Sequence, residues 1–495
     1  MSYEKYVEHS RKIADVRHAS ALLQWDQEVM MPEKGADARS RQLATLSVIA
    51  HEWSTDPAYG QLLNELVHDT SLTWEQKRNV EISLKDYQRQ QKYNADFVQK
   101  LSQTISKAFN AWQSARKAND FNVFAPALEE IVALKREEAA LLGYEVHPYD
   151  ALMDEYEPGA TVAMVDKLFE GVKSSLLTLL GRVNISNAPK NTFEGKKFEA
   201  AKQWTITEAF LRKMGYDFEA GRQDYAPHPF CTNFSSKDVR VTTRANEDDV
   251  FDMLSSSIHE GGHALYEQGL LEDNYGLPAG SYVSLGIHES QSRLWENNVG
   301  RSEAFWNNNF TLLAEAFPEQ CAGLIAKDAY LSNNIIQPSL IRVQADELTY
   351  HFHIMIRYEL EKRLIEGSLE VKNLKDAWNA MYKQYLGIDV PSDNQGVLQD
   401  IHWSHGSMGY FATYSLGSFY AAQFFRQAQS EIPDLEQKIE AGDLLPLKNW
   451  LNEKIHKSGR LYDAEDLCKK VTGEGLNFEY FHNYLENKLS KVYNW

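Results

Sequence analysis

In a long stretch of this chain apolar residues recur near the three- and four-residue spacing of a helix buried on one side. From Ala127 to Leu142 they stand at Leu128, Ile131, Val132, Leu134, Leu141 and Leu142, with charged residues between them, and this approximates helical periodicity. Proline, which interrupts helices, is sparse. There are 14 in 495 residues, with none between Pro57 and Pro126, between Pro338 and Pro391, or after Pro446. The gaps are rich in Leu, Ala, Glu, Lys, Gln and Arg, the strong helix formers. The pattern predicts a predominantly α-helical chain. It contains no internal repeat and no low-complexity linker, so residues 1–495 read as a single helical unit whose chemistry-bearing motifs fall in 225–415.

One stretch breaks the helical pattern. Tyr225 to Arg244 reads YAPHPFCTNFSSKDVRVTTR, with two prolines, a polar turn at Ser235-Ser236-Lys237-Asp238 and a β-prone run from Val239 to Thr243. It predicts a short hairpin or small sheet, placed immediately before the helix that carries the main motif. An edge strand there could pair with an extended peptide.

That motif is His259-Glu260-Gly261-Gly262-His263, of the form H-E-x-x-H. Residues four apart share one face of a helix, so both imidazoles can reach one metal ion. Glu260 sits one residue round, where it can deprotonate a metal-bound water without ligating the metal itself. Asn246 is the expected N-cap, with Glu247, Asp248 and Asp249 filling the first turn, and Gly269 the expected stop. Two mid-helix glycines should each cost about 1 kcal/mol against alanine, so something must approach the backbone there, either substrate or another packed helix.

A catalytic zinc takes three protein ligands and leaves a position open for water. The third ligand is expected downstream, in Ile287-His288-Glu289-Ser290-Gln291, after a loop holding Gly276, Pro278 and Gly280. Glu289 is the favoured residue. Its rival His288 would point about 100° away on the same helix. Glu296, two turns on, is either an acid that orients a ligating imidazole or a solvated surface carboxylate.

Composition adds limits. Fifty-one basic against 70 acidic residues give a net charge of −19, which repels phosphate backbones and makes nucleic acid an unexpected partner. No run of 18 apolar residues predicts a membrane span. The charged N-terminal region has no apolar signal core, and Cys231, Cys321 and Cys468 form no disulfide framework or zinc-ribbon spacing, which suits buried thiols in a reducing compartment. A cytoplasmic location is expected.

Six short motifs occur in order across the second half: His228-Pro229-Phe230; Asp238-Val239-Arg240-Val241-Thr242; the H-E-x-x-H pentad; His288-Glu289-Ser290-Gln291; Ile341-Arg342-Val343-Gln344-Ala345-Asp346; and Gly396-Val397-Leu398-Gln399-Asp400-Ile401-His402-Trp403. With them the chain resembles the carboxypeptidase Taq family of zinc metallocarboxypeptidases. The N-terminal LLQWDQEVMMPEKGADARSRQLATL and the stretch from Gly409 to Trp495 extend the likeness to the whole length. One departure is visible: Ala412 stands where the family pattern has a proline.

The resemblance implies a two-lobed helical metallopeptidase with a deep active-site groove, and a homodimer. It implies release of single C-terminal amino acids with broad side-chain tolerance and poor action at C-terminal proline. It also implies one zinc per chain, with cobalt as the alternative metal. His259, His263 and Glu289 would hold the metal, and Glu260 would be the general base. A donor to the tetrahedral oxyanion is expected among Tyr410, Tyr414, His228 and His402, with Tyr414 and His228 favoured and a structural hydrogen bond the competing role for each. A carboxypeptidase must also recognise a free carboxylate, which arginine's two-pronged guanidinium does well. Arg342 is the first choice and Arg240 the second. The competing role for Arg342 is a helical salt bridge to Asp346, four residues on.

Two other functions fit the same residues: a zinc endo-oligopeptidase of similar helical fold, which has no need of a carboxylate anchor, and a helical scaffold carrying a vestigial motif.

Overall fold

The helices expected from the apolar spacing are present in the computed structural model, which describes residues 2–183 and 188–495. The stretch 127–142 lies in the helix Ala125–Leu142, with Pro126 in its first turn and Leu128, Ile131, Val132, Leu134 and Leu142 buried. Proline is tolerated there because a first-turn N–H has no intrahelical partner to lose. The backbone divides into two units, each made of separate stretches of chain. The first comprises residues 1–91, 190–333 and 417–477, and the second 92–189, 334–416 and 478–495. Among the described residues no helix is long and apolar enough to cross a membrane.

In the first unit, the helix Ser2–Val29 carries Tyr6 and Ile13 into a cluster with Tyr59, Leu63, Leu66, Val80, Tyr87 and Leu277. The predicted β-region is a three-stranded sheet of β1 (Gly221–Tyr225), β2 (Cys231–Ser235) and β3 (Asp238–Thr243), in the order β1-β3-β2. β2 and β3 form the expected antiparallel hairpin about the polar turn, and β1 pairs with β3 in parallel. β3 is central, with Val239, Val241, Thr242 and Thr243 buried. It packs on the helix Val250–Gly269, pinned by a 2.9 Å hydrogen bond from the Ser257 hydroxyl to that of Thr243.

The start of that helix corrects the expectation from sequence. Its N-cap is Asp249, whose carboxylate accepts from the Phe251 N–H, rather than Asn246. Asn246 instead accepts from the Asp248 N–H at 3.1 Å, closing a turn of its own, and Gln203 donates to its carbonyl. The acids expected in the first turn therefore lie before the helix.

The second unit is organised around Tyr350–Glu366, a helix with 13 buried residues on all its faces, including His351, His353, Arg357 and Glu361. A polar helix buried all round is stable only if its polar groups find partners. Here Arg357 pairs with Asp400 at 2.6 Å. Glu361 accepts from the Tyr149 hydroxyl, the Trp403 indole and the Gly409 N–H. Burial pushes the Glu361 carboxyl up to about 7 against the pull of these bonds. Ala412, where the family pattern has proline, is the first residue of the helix Ala412–Glu431, a position that favours proline.

All three cysteines are free thiols. Cys321 and Cys468 are buried, as expected, while Cys231 on β2 is only partly so.

Candidate metal centre

The two glycines of the H-E-x-x-H pentad let neighbouring helices pack closely against it, and one of those helices carries Glu289. A Cβ on Gly262 would lie 2.6 Å from the Gln291 carbonyl oxygen and 2.7 Å from the Ser292 Cα. One on Gly261 would lie 2.5 Å from a Leu211 methyl. Both positions are thus filled by packed helices. At Gly262 the neighbour is Leu285–Arg293, whose backbone can sit against the first helix only because no side chain intervenes. Gly417 repeats the device on the far side of Glu289, since a Cβ there would meet the Glu289 Cγ at 2.5 Å.

This close approach brings His259, His263 and Glu289 together, with one ligand atom from each lying within 4.8 Å of the others. Glu289 Oε2 is 3.6 Å from His259 Nε2 and 3.4 Å from His263 Nε2. Donors about 2.0–2.1 Å from a tetrahedral ion stand roughly 3.3 Å apart, so two imidazole nitrogens and one carboxylate oxygen fit a zinc-type ion with a position left open. The neighbour His288 turns away from this cluster, as its place on the helix predicts. Its Nδ1 meets His263 Nδ1 at 2.6 Å and its Nε2 meets Glu267 Oε1 at 2.8 Å.

Glu296 is a buried acid bonded to His259 and not a surface carboxylate. It is 7% exposed, and its Oε2 meets His259 Nδ1 at 2.9 Å. It sits in a π-helical turn, Leu294–Gly300, that continues the Glu289 helix; such turns frequently mark functional sites. Sequence reading missed the arginines that hold these acids. Arg293 Nε donates to Glu289 Oε1 at 2.7 Å and its Nη1 to Glu296 Oε2 at 3.2 Å. Arg301 Nη2 donates to Glu296 Oε1 at 3.0 Å. The i, i+4 spacing of Glu289 and Arg293 was the available signal.

These neighbours set the electrostatics. Burial alone would raise Glu289, but Arg293 and the two imidazoles hold it well below the usual carboxylate range. Burial is overridden in the same way at Glu296, by Arg293, His259 and Arg301. At Glu260 burial wins over the pull of His259 and pushes the carboxyl up to about 7. Burial and the adjacent His288 push His263 down to about 3, which keeps its ring neutral and fit to ligate.

A second constellation lies in the other unit. Arg342, in the short 3₁₀ turn Arg342–Gln344, is 7% exposed. Its Nε donates to Asp400 Oδ1 at 2.9 Å, its backbone N–H to Gln399, and its Nη1 reaches the Tyr350 hydroxyl at 3.5 Å. The expected helical partner Asp346 is engaged elsewhere, accepting from Gln337, Leu348 and Thr349. Asp400 therefore stands between two guanidiniums, Arg342 and Arg357, which outweigh its burial and hold it well below the usual range. One carboxylate against two guanidiniums leaves a buried surplus of positive charge. Tyr414 lies under the Arg342 guanidinium at 4.9 Å, and its hydroxyl meets His402 Nε2 at 3.1 Å. Tyr410 stacks edge-on to both His402 and Tyr414. Burial and Arg342 push His402 down to about 3.

The two remaining residues singled out from sequence fall in the first unit. His228 is exposed in the link between β1 and β2. Arg240 on β3 is bound to Asp238 by two hydrogen bonds of 2.8 Å and lies over the Trp25 ring at 4.3 Å.

Comparison with known proteins concerns the chain as a whole. The model of a family described as Carboxypeptidase Taq (M32) metallopeptidase matches residues 5–489. Carboxypeptidase 1 of Bacillus subtilis (strain 168) is 38% identical over 495 residues, covering 99% of each chain. Thermostable carboxypeptidase 1 of Thermus thermophilus is 37% identical over 507 residues, again with 99% of each covered. Among solved structures, the M32 carboxypeptidase of Deinococcus radiodurans R1 superposes over 100% of both chains with a TM-score of 0.97 at 39% identity.

Proposed function

This chain belongs to the carboxypeptidase Taq (M32) metallopeptidase family and is a metallocarboxypeptidase, and from that premise we propose that it uses zinc to release single C-terminal amino acids from peptides. The observation that carries the metal assignment is the meeting of His259, His263 and Glu289 with their orienting partners already in place. Zinc held there supplies Lewis acidity towards the scissile carbonyl and lowers the pKa of water to about 7. Glu260 takes the proton of the attacking water on its carboxylate and delivers it to the leaving amine nitrogen. The C–N bond breaks, giving a shortened peptide acid and a free amino acid. Arg342, backed by Asp400, anchors the substrate's terminal carboxylate. That role separates this function from an endo-oligopeptidase of similar fold.

Broad side-chain tolerance, with poor release of C-terminal proline, is part of the same proposal. A panel of tetrapeptides varied at the last residue, incubated with the zinc-loaded enzyme and read by mass spectrometry, should show stepwise loss of single C-terminal residues and a stall at proline. Internal cuts that ignore the terminus would move the assignment to the endo-oligopeptidase. We also propose a homodimer. Light scattering at micromolar concentration should give twice the 56.7 kDa chain mass, and a mass of one chain would reject it.

A further inference from the structure

A ligating imidazole needs its second nitrogen held, because that hydrogen bond fixes both the tautomer and the ring angle. The carboxylate of Glu296 does this directly for His259. His263 is different, since another imidazole stands between its Nδ1 and a carboxylate, that of Glu267.

We infer that His288 is a positioning residue for the metal, the middle member of a one-way hydrogen-bond relay from His263 to Glu267. The inference rests on the metal-centre assignment above. The geometry allows one proton arrangement. His263 Nε2 is the nitrogen that faces Glu289 Oε2, at 3.4 Å. A nitrogen that ligates a metal carries no proton, so the His263 proton is on Nδ1. That Nδ1–H donates to His288 Nδ1 at 2.6 Å, which must then be bare. The His288 proton is therefore on Nε2, which donates to Glu267 Oε1 at 2.8 Å. Glu267 Oε2 in turn accepts from Asn233 Nδ2 at 2.7 Å. The relay ends on β2, so the sheet as well as the helix holds the ligand in place.

The packing supports the same assignment. The rings of His263 and His288 are stacked, with centroids 4.4 Å apart and planes 27° from parallel. The rings of Tyr266 and Tyr282 lie 5.4 Å and 4.9 Å from His288, leaving it little freedom to turn. Glu267 is 3% exposed, and a buried carboxylate needs its hydrogen-bond donors. His288 and Asn233 supply them. Glu267 also follows His263 by one helical turn, so it belongs to the same helix face as the ligand it serves.

A packing role alone would make the same contacts, and the amide isosteres separate the two. Asparagine places an acceptor near the position of an imidazole Nδ1, whereas glutamine places its amide near Nε2. His288→Asn keeps a partner for His263 Nδ1–H, and His288→Gln keeps one for Glu267 only. His288→Phe keeps the ring volume and neither bond. Zinc dissociation constants of the full-length apoprotein, measured by competition with a chromophoric chelator, give the readout, with the Tm of each apoprotein recorded beside it. Loss of an orienting partner typically costs 10- to 100-fold in metal affinity. The Phe and Gln variants should weaken by about that factor and Asn should stay within about threefold of wild type. Asn and Gln differ by one methylene and disturb packing alike, so their ratio carries the test. A ratio near one, or Phe binding zinc as wild type does, overturns the relay. Glu289→Ala is measured alongside and should lose zinc more severely than any His288 variant. If it binds normally, the ligand assignment itself is wrong.

Discussion

Glu260→Gln should leave zinc bound and cut turnover by about two to four orders of magnitude, the range typical of general acid–base catalysis. The change keeps side-chain length and a hydrogen-bonding end while removing the atom that can carry a proton away. Glu260 lies outside the ligand cluster of His259, His263 and Glu289, so the metal contacts survive the substitution. Metal content after gel filtration should be one zinc per chain in both proteins. Turnover of a free-acid tetrapeptide by the zinc-loaded variant is the second measurement. Near-normal turnover there would mean that another group takes the proton. Loss of zinc would mean that Glu260 supports the site and not the reaction.

Amidating the substrate's C-terminus should cost about two to four orders of magnitude in kcat/KM, or roughly 3 to 5 kcal/mol. The terminal carboxylate is proposed to meet the surplus positive charge of Arg342, Asp400 and Arg357, and charge-assisted bidentate bonds are among the stronger polar contacts. An amide loses that pairing and leaves a buried guanidinium unanswered. Arg342→Ala should reduce kcat/KM on the free acid by a similar factor and on the amide far less. Comparing all four combinations cancels any general damage to the fold, such as the loss of the Asp400 contact at 2.9 Å, and isolates the pair. Equal cleavage of acid and amide by the wild type would remove the anchor. A preference for the acid that survives Arg342→Ala would place it elsewhere.

The pairing of His259 with His263 was legible in the sequence because a helix turns four-residue spacing into a shared face, so it needed no tertiary information. Glu289 came from motif order and could not be placed by spacing alone, because what decides its approach is the absence of side chains at Gly262 and Gly417. The helix start was misread because Asn246 and the three acids that follow it all suit a first turn. The choice of Asp249 depends on Asn246 being tied to Asp248 and Gln203. The carboxylate that Arg342 meets could not be found from sequence for a different reason. A local rule offered Asp346, four residues away, whereas the true partner, Asp400, lies 58 residues on. Glu267 stood in plain view one turn after His263, but nothing local shows that His288 would come between them.

The buried surplus of positive charge also divides the protein's electrostatics by range. The chain as a whole carries a net charge of −19, so a negatively charged peptide is repelled only once it comes within about a Debye length of the surface, near 8 Å at physiological salt. The guanidiniums of Arg342 and Arg357 act at contact, out of reach of mobile ions. If they anchor the substrate as proposed, ionic strength governs how often an acidic peptide arrives and has little hold on how firmly its terminus is gripped once it is there.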